Sequence, residues 1–246
     1  MRLASVIEVR RFKKRFGSKE VHRGVSFHVE QGECLGLIGG SGSGKSVLLR
    51  SLIGLEKADS GSIVIEGQDI TQMTERELIG IRKKVAYAFQ GGALFDSMTV
   101  FDNLAYPLRE HTDLKESDIK KKIRDLLFEF GLADSENLFP GSLSGGMQKR
   151  VGLARAIILN PDTILYDEPT AGLDPFNTRK ISEMILRLKA KKKTGILVTH
   201  DMPVAFEVCD RIALLVHGNL DIIAKPKEIQ QDALHPISIF AHGDIT

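Results

Sequence analysis

Residues 39–46 are the clearest place in the sequence where residue types and spacing indicate chemistry. Glycines let a backbone turn its N–H groups toward a phosphate, and a following helix adds its positively charged end. Lys45 would reach the β- and γ-phosphates, and the Ser46 hydroxyl would bind Mg²⁺. A dinucleotide fingerprint is excluded, because it would need glycine where Lys45 stands. The run Gly39-Gly40-Ser41-Gly42-Ser43-Gly44-Lys45-Ser46 fits G-x-x-x-x-G-K-[ST] and predicts binding and hydrolysis of Mg·ATP.

Two adjacent carboxylates, Asp167 and Glu168, close an apolar run over residues 163–166. Such a run predicts a buried strand, whose carboxyl end would lie beside the phosphate loop. Asp167 suits Mg²⁺, directly or through water, and Glu168 suits a general base that takes a proton from the attacking water. A helix-capping pair is the alternative for two acids at a strand end. The pair alone therefore leaves both readings open.

Strand and helix signals alternate around these residues. Apolar or alternating runs predict strands over residues 6–9, 25–29, 34–38, 63–65, 85–89, 163–166, 196–198 and 212–216. Helical spacing predicts helices over residues 46–53, 119–130 and 145–159. Between about residue 91 and residue 160 the strand signal disappears. We therefore predict an α/β core interrupted by a helical subdomain.

Length and composition limit the kind of protein. The 246 residues are 42% apolar and 27% charged with a net charge of +2, which predicts one globular unit. No apolar run approaches the roughly 18 residues of a membrane helix, and Arg10-Arg11 interrupts any signal-type start, so we predict a cytoplasmic chain. Cys34 and Cys209 are too few and too distant in sequence for a disulfide framework or metal site, and we interpret them as core residues. The basic runs lack interleaved aromatics, so nucleic acid is not an expected partner.

Five further motifs occur in the order found in the ATP-binding cassette family, which the sequence resembles over residues 16–231. The resemblance implies a P-loop NTPase (RecA-like) α/β fold, an inserted α-helical subdomain and an antiparallel β subdomain. It implies one cassette over residues 1–246, with core and β subdomain at 1–90 and 161–232, helical subdomain at 91–160 and a tail at 233–246. The five motifs are Phe16, Gln90, Leu143-Ser144-Gly145-Gly146, Gly172-Leu173-Asp174 and His200.

The resemblance assigns roles to the residues around a single nucleotide. Phe16 would stack on adenine, although Tyr is commoner here in the family and a core aromatic is the alternative. Gln90 would contact Mg²⁺ or the attacking water and report nucleotide state to a membrane partner. His200 would hydrogen-bond the γ-phosphate and position Glu168.

A second anion site is implied at the start of the helix predicted over residues 145–159. Ser144, Gly145 and Gly146 offer a hydroxyl and free N–H groups at a helix N-terminus. In the family this site serves the γ-phosphate held by another copy, so the resemblance implies a homodimer with Asp174 across its seam. The sequence departs from many relatives at Met147, where Gln is common; Gln148 follows, and we expect activity to survive.

Residues 89–96 and 100–110 look like the ATPase of the Mla/Mce lipid-transport systems. That resemblance implies an ATPase dimer on the cytoplasmic face of the inner membrane. Its partners would be MlaE-like permease subunits, an Mce-domain lipid-binding protein and a small STAS-type regulatory subunit. The alternatives are the ATPase of another importer, for amino acids or other small solutes, and a non-transport cassette. The sequence has neither the long coiled coil of the DNA-repair type nor a second cassette, and a stand-alone P-loop kinase would have no use for residues 143–146.

Two surfaces are predicted to contact partners. Leu94, Phe95 and Phe101 are candidates for an exposed groove that receives a permease helix, with ordinary subdomain core as the alternative. In the lipid-transport relatives the C-terminal tail can reach the other ATPase subunit. Residues 233–246 are therefore expected to stabilise a dimer.

Overall fold

The computed structural model describes residues 5–243; residues 1–4 and 244–246 of the predicted cassette lie outside the described residues. The strands are β1 (Ser5–Phe16), β2 (Lys19–Glu30), β3 (Cys34–Ile38), β4 (Ser60–Ile65), β5 (Gln68–Asp69), β6 (Val85–Ala88), β7 (Thr163–Asp167), β8 (Thr194–Val198), β9 (Arg211–Val216) and β10 (Asn219–Ala224). The helices are α1 (Lys45–Ser51), α2 (Glu75–Lys84), α3 (Val100–His111), α4 (Glu116–Glu129), α5 (Gly145–Ile157), α6 (Pro175–Ala190), α7 (Met202–Val208), α8 (Pro226–Gln231) and α9 (Pro236–Ala241).

The larger sheet has six strands in the order β10-β9-β3-β8-β7-β6. Strand β3 pairs in parallel with β8 and β9, and β7 pairs in parallel with β6 and β8. All five residues of β3, β7 and β8 are buried, as expected for parallel strands covered on both faces. Because these strands run in one direction, the segments that follow β3, β6, β7 and β8 meet at one edge.

Strand β3 separates two hydrophobic cores. Cys34 and Ile38 face the core beneath the helical segment, whereas Leu35 and Leu37 face the core shared with the second sheet. That second sheet is antiparallel, with strand order β2-β1-β4-β5. The P-loop NTPase α/β fold and its antiparallel β subdomain are thus both present.

The segment between β6 and β7, which is described throughout, contains α3, α4, α5 and two short 3₁₀ turns but no strand. Buried Asn103 of α3 orders the loop before it. Its Oδ1 accepts from the Phe95 backbone N–H at 2.9 Å, and its Nδ2 lies within hydrogen-bond distance of the carbonyls of Phe95, Met98 and Thr99. A buried amide with its donors and acceptor used in this way fixes the chain between β6 and α3.

Some elements were not predicted from the sequence. Helix α2 begins with a capping box in which Thr74 and Glu77 bond each other's backbone, a pattern that could have revealed it. Strand β10 pairs with β9 after a two-residue turn at His217 and Gly218, both with positive φ, and this turn before an apolar run could have revealed the hairpin. None of the helices within residues 5–243 is long and apolar enough to span a membrane.

Two other expectations concern the cysteines and the tail. Cys34 and Cys209 are buried free thiols, as predicted, and a hydrogen bond with Cys34 together with burial raises the pKa of Cys209. The described part of the tail packs on its own chain, because Ile237 of α9 is fully buried. The Ser238 hydroxyl also donates to the Ile229 carbonyl at 2.7 Å. A dimer-stabilising role of the tail stays a prediction.

His22 of β2 is a buried titratable group beneath the phosphate loop. Its side chain is 1% exposed, and its ring centroid lies 5.1 Å from that of Phe12. A side-chain carbon on Gly44 would come within 2.8 Å of its Nε2. Burial lowers the pKa of His22 to about 4, against a smaller opposing effect of the Gly44 backbone.

We expect His22 to make the protein less stable in acid. The unfolded chain protonates this group near its ordinary pKa of about 6.5, while the folded chain does so only near 4. The free energy of unfolding should therefore fall as the pH decreases from about 6.5 toward about 4, by up to about 1.4 kcal/mol per pH unit. Urea unfolding at about pH 7.5 and about pH 5 measures this, and His22→Leu should reduce the loss. His28→Leu, an exposed histidine on the same strand, is the control; an equal loss in the parent and in His22→Leu would contradict the prediction.

Candidate active site

The phosphate loop leaves β3 and enters α1 with its lysine held against its own backbone. Lys45 Nζ donates to the carbonyls of Gly39 at 2.7 Å and Gly40 at 3.0 Å. The side chain is buried, which lowers the pKa of Lys45, and the negative charges of Glu168 and Asp167 oppose that shift. The ammonium group is therefore fixed at the centre of the loop.

At two positions of the loop, neighbouring atoms lie so close that only glycine fits. A side-chain carbon at Gly39 would overlap the Leu215 carbonyl oxygen of β9, and one at Gly44 would lie 2.5 Å from Val21 Cγ1. Gly44 also has a φ of 101°, in the left-handed region that favours glycine. By contrast, no atom lies within 4 Å of the side-chain positions of Gly40 and Gly42. The loop is thus packed against the sheet on one side and open on the other.

Asp167, at the end of β7, accepts two hydroxyl hydrogen bonds. The Ser46 hydroxyl donates to its Oδ1 at 2.8 Å, and the Tyr87 hydroxyl donates to its Oδ2 at 2.6 Å. Burial, together with the bond to Asp167, raises the pKa of Tyr87, so this phenol stays protonated and donates. Tyr87 lies on β6 and was missed by the sequence reasoning, because no motif includes it.

Glu168 follows directly and has a left-handed backbone, with a φ of 49°. Its N–H donates to the Val198 carbonyl of β8 at 2.9 Å. Its Oε2 accepts from the His200 backbone N–H at 3.3 Å and lies 2.8 Å from His200 Nδ1. The structure therefore brings the predicted base and the predicted histidine into direct contact, with Oε1 of the carboxylate not used in that contact.

An open cavity of about 510 Å³ joins eight of the predicted site residues. Its lining residues are Gly39, Ser41, Gly44, Lys45, Ser46, Val47, Gln90, Glu168 and His200. Gln90 comes from the end of β6, Glu168 from the end of β7 and His200 from the end of β8. Four parallel strands therefore contribute to one site.

The residues present fit a magnesium-bound nucleotide. The buried Ser43 hydroxyl has no hydrogen-bond partner among the described residues, and the loop is open at Gly40 and Gly42. The Ser46 hydroxyl and the Asp167 carboxylate are hard oxygen donors of the kind that Mg²⁺ prefers. Within residues 5–243 no group of three or more His, Cys, Asp or Glu side chains could hold a metal, so phosphate oxygens or waters would complete the coordination.

Nine predicted site residues do not line this cavity, and four of them, Gly40, Gly42, Ser43 and Asp167, lie on the phosphate loop or hydrogen-bond to it. Phe16 is 46% exposed at the end of β1, with Lys14 Nζ 4.9 Å from its ring centroid. Ser144 is the N-cap of α5, where its hydroxyl accepts from the Met147 N–H at 3.3 Å. Asp174 is the N-cap of α6. The roles predicted for these three residues, and for Gly145 and Gly146, stay predictions.

The substitution at Met147 leaves the start of α5 intact. Its backbone N–H still reaches Ser144, and its side chain packs against the core beneath the helical segment. Gln148 anchors the preceding loop, because its Nε2 donates to the Pro140 carbonyl at 2.9 Å.

The loop before α3 and the helix itself expose an aromatic pair. Phe95 is 45% exposed, and its ring packs edge-on against Tyr106, 5.6 Å between centroids. The Arg155 guanidinium lies 5.2 Å from the Phe95 centroid. Leu94 and Phe101, the other two residues of the predicted groove, are partly buried against the core of the helical segment, and their contact with a permease stays a prediction. Phe95 is the member of that predicted groove that faces solvent.

Comparisons with known proteins agree with this geometry. A sequence model described as "ABC transporter" matches residues 22–171. A probable ribonucleotide transport ATP-binding protein, mkl, of Mycobacterium leprae is 43% identical over 238 residues, which are 96% of this chain and 68% of that protein. The methionine import ATP-binding protein MetN of Rhizobium johnstonii is 43% identical over 87% of this chain and 59% of that protein. The chain thus spans about two thirds of the length of such relatives.

Solved structures show the same fold. The dimeric structure of a post-hydrolysis state of the ATP-binding cassette MJ0796, bound to ADP and Pi, superposes with a TM-score of 0.84 and 30% identity over 89% of this chain and 98% of that one. A nucleotide-free ATP-binding cassette from an ABC transporter also gives a TM-score of 0.84, with 27% identity over 97% of this chain and 99% of that one.

We expect the hydroxyl of Tyr87 to orient Asp167 toward the cation. Tyr87→Phe removes one of the two hydroxyls on this carboxylate, a charge-assisted bond worth about 1.5–3 kcal/mol when intact. The Mg²⁺ concentration for half-maximal ATP hydrolysis should rise roughly three- to tenfold, with a smaller change in kcat. A magnesium titration of ATPase activity measures this. The matched control is Thr71→Val, which removes a hydroxyl-to-Asp69 bond remote from the cavity; an unchanged magnesium dependence in Tyr87→Phe would contradict the prediction.

Proposed function

The chain belongs to the ABC transporter family and carries its ATP-hydrolysing domain, and from this premise we propose that it energises a membrane transporter. Domains of this family bind ATP with Mg²⁺. The observation that carries the proposal is the cavity in which Lys45, Ser46, Glu168 and His200 meet. A stand-alone P-loop kinase would not need this set together with the helix start at Ser144.

Each residue of the cavity has a role that its contacts support. Mg²⁺, when bound, supplies positive charge to the phosphate oxygens. Lys45 presents a fixed ammonium group to the β- and γ-phosphates, and Asp167 keeps the Ser46 hydroxyl turned toward the cation. Glu168 accepts a proton from the attacking water at its carboxylate, and His200 holds that carboxylate in place. Gln90, at the exposed end of β6, contacts the cation or the water.

The working form in this proposal is a homodimer. Four predicted site residues lie outside the cavity of their own chain: Ser144, Gly145, Gly146 and Asp174. In a homodimer they would complete the nucleotide site of the other copy. Adenine would stack on Phe16. Support comes from the structural neighbour that was solved as a dimer with ADP and Pi. Two bound nucleotides would then close the dimer, and hydrolysis would reopen it.

Glu168→Gln should separate nucleotide binding from hydrolysis. The amide keeps the size of the side chain but cannot accept a proton as the carboxylate does, so kcat should fall at least about 100-fold. ATP binding, measured with a fluorescent ATP analogue, should change by less than about threefold.

Glu207→Gln, an exposed carboxylate on α7, controls for the loss of a negative charge. Near-normal turnover in Glu168→Gln would show that another group takes the proton. Loss of nucleotide binding would show instead that Glu168 holds the substrate.

The permease would contact the aromatic pair Phe95 and Tyr106. Phe95 lies on the loop between Gln90 and α3, and Tyr106 lies on α3, so this loop connects the pair to the end of β6, where nucleotide would be sensed. In this proposal the chain lies on the cytoplasmic face of the membrane, and a short permease helix packs against the exposed rings.

Phe95→Asp should release the permease and leave the isolated ATPase unharmed. A carboxylate on the rings' face would have to be desolvated by an apolar helix, which costs several kcal/mol. Co-purification of membrane subunits from detergent extracts should fall at least about tenfold, while basal ATP hydrolysis of the purified chain stays within about twofold. Phe128→Asp places the same change on another exposed phenylalanine, 78% exposed on α4. Equal co-purification of both variants would refute the assignment of this surface.

Phospholipid, or a related lipid, is the substrate we propose. The support is the resemblance of residues 89–96 and 100–110 to the ATPases of the Mla/Mce systems. The partners would then be an MlaE-like permease, an Mce-domain lipid-binding protein and a small STAS-type subunit. The names of the relatives favour a second candidate, an importer of a small solute such as a ribonucleotide or methionine.

Mass spectrometry of the membrane complex distinguishes these two candidates. An Mce-domain protein and bound phospholipid in the purified complex would support lipid transport. A soluble amino-acid or nucleotide receptor, with no Mce-domain protein, would support the small-solute importer.

A further inference from the structure

The side chain of Asn177 joins two segments that the proposed dimer places at its seam. Asn177 lies in the first turn of α6, three residues after Asp174. Its Nδ2 donates to Asp174 Oδ2 at 2.5 Å, and its backbone N–H donates to Asp174 Oδ1 at 3.0 Å. On the other side, its Oδ1 accepts from Arg150 Nη1 of α5 at 2.7 Å. One amide group therefore bonds both the Asp174 loop and the helix that begins at Gly145.

The same amide packs directly on Gly146. A side-chain carbon at Gly146 would overlap the Asn177 amide, with Nδ2 only 2.9 Å away. Gly146 itself is buried and has an ordinary helical φ, so its lack of a side chain serves close approach rather than backbone freedom. Asn177 consequently touches the anion-binding turn of residues 144–146 as well as Arg150.

A second contact ties the same two segments together. Lys149 Nζ donates to the carbonyl of Ala171, in the loop between Glu168 and Asp174. Burial lowers the pKa of both Lys149 and Arg150, and the nearby Asp174 carboxylate opposes that shift at Arg150. Two partly desolvated cations of α5 thus have their hydrogen-bond acceptors in the loop and helix that follow β7.

We propose that Asn177 is a positioning residue that makes residues 144–146 and Asp174 move as one body when two copies close on ATP. The inference rests on the proposed function, because both segments act across the dimer seam. Helix α5 belongs to the helical segment and α6 follows the central sheet. Without the amide, Asp174 would keep only backbone partners and Arg150 would lose its acceptor. The two segments could then shift independently, and closure would have to order them.

The test uses the Glu168→Gln chain, in which bound ATP should persist. Asn177→Leu keeps the number and branching of the side-chain heavy atoms and does not lower helix propensity, while it removes both amide hydrogen bonds. The ATP-dependent dimer dissociation constant, measured by sedimentation velocity, should rise at least about tenfold. Binding of a fluorescent ATP analogue to the monomer should stay within about twofold, because Asn177 does not line the nucleotide cavity. Arg179→Leu, on the exposed face of α6, is the control.

A second variant, on the other side of the same contact, keeps the test informative if Asn177→Leu folds poorly. Arg150→Met retains the aliphatic stem but removes the guanidinium donor, and it should weaken the dimer as Asn177→Leu does. The dimer dissociation constant of the double variant should not exceed that of the single variant with the higher dissociation constant, because both changes break the same contact.

Each remaining outcome has a definite meaning. Dimerisation of Asn177→Leu equal to that of the parent would refute the positioning role, and so would a parallel loss of ATP binding by the monomer. Failure of the Glu168→Gln parent itself to dimerise with ATP would refute the proposed dimer, and this inference would fall with it.

Discussion

The hydrogen bond from the Ser46 hydroxyl to the Asp167 carboxylate connects parts of the chain that are 121 residues apart. It joins the start of α1 to the end of β7, although β8 lies between β3 and β7 in the sheet. That bridge is possible only because β3, β6, β7 and β8 end at one edge, where Gln90, Glu168 and His200 also emerge. The fully buried parallel strands therefore do more than form a core, since their common direction decides which side chains can meet. A slip of one residue in β7 would turn Asp167 away from Ser46.

The sequence predicted the candidate site best where residues of chemically reactive types follow the end of a predicted strand. Glycine spacing and apolar runs led to residues 39–46, Asp167 and Glu168, and the structure puts these beside His200. Tyr87 could not be found in this way, since it belongs to no motif and its hydroxyl acquires a partner only through strand pairing. Asn177 is similar, because Arg150 is 27 residues away in the chain. Whether the Phe101 side chain faces the core or solvent depends on which face of α3 packs against α4 and α5. The apolar content of the segment alone does not determine that face.

Two groups of predicted site residues are separated within one chain. The first group surrounds Lys45. The negative charges of Asp167 and Glu168 lie near its buried ammonium group and partly compensate its positive charge. The second, at the start of α5 and α6, has its helix N-caps filled by Ser144 and Asp174. Most hydrogen bonds of each group are made within the chain, although the buried Ser43 hydroxyl has no partner among the described residues. Association of two such copies would therefore require little rearrangement within either group, which favours a rigid-body closure.

The backbone of Glu168 has a further consequence. A non-glycine residue with a φ of 49° carries conformational strain that a glycine would relieve, yet a glycine could not accept a proton. In the proposed mechanism this position would set activity against stability, because the carboxylate that accepts the proton projects from a locally unfavourable backbone conformation. Selection for a stable fold alone would favour the replacement of Glu168 at this position. Its persistence in a lineage would thus report continued selection for turnover, independently of selection for folding.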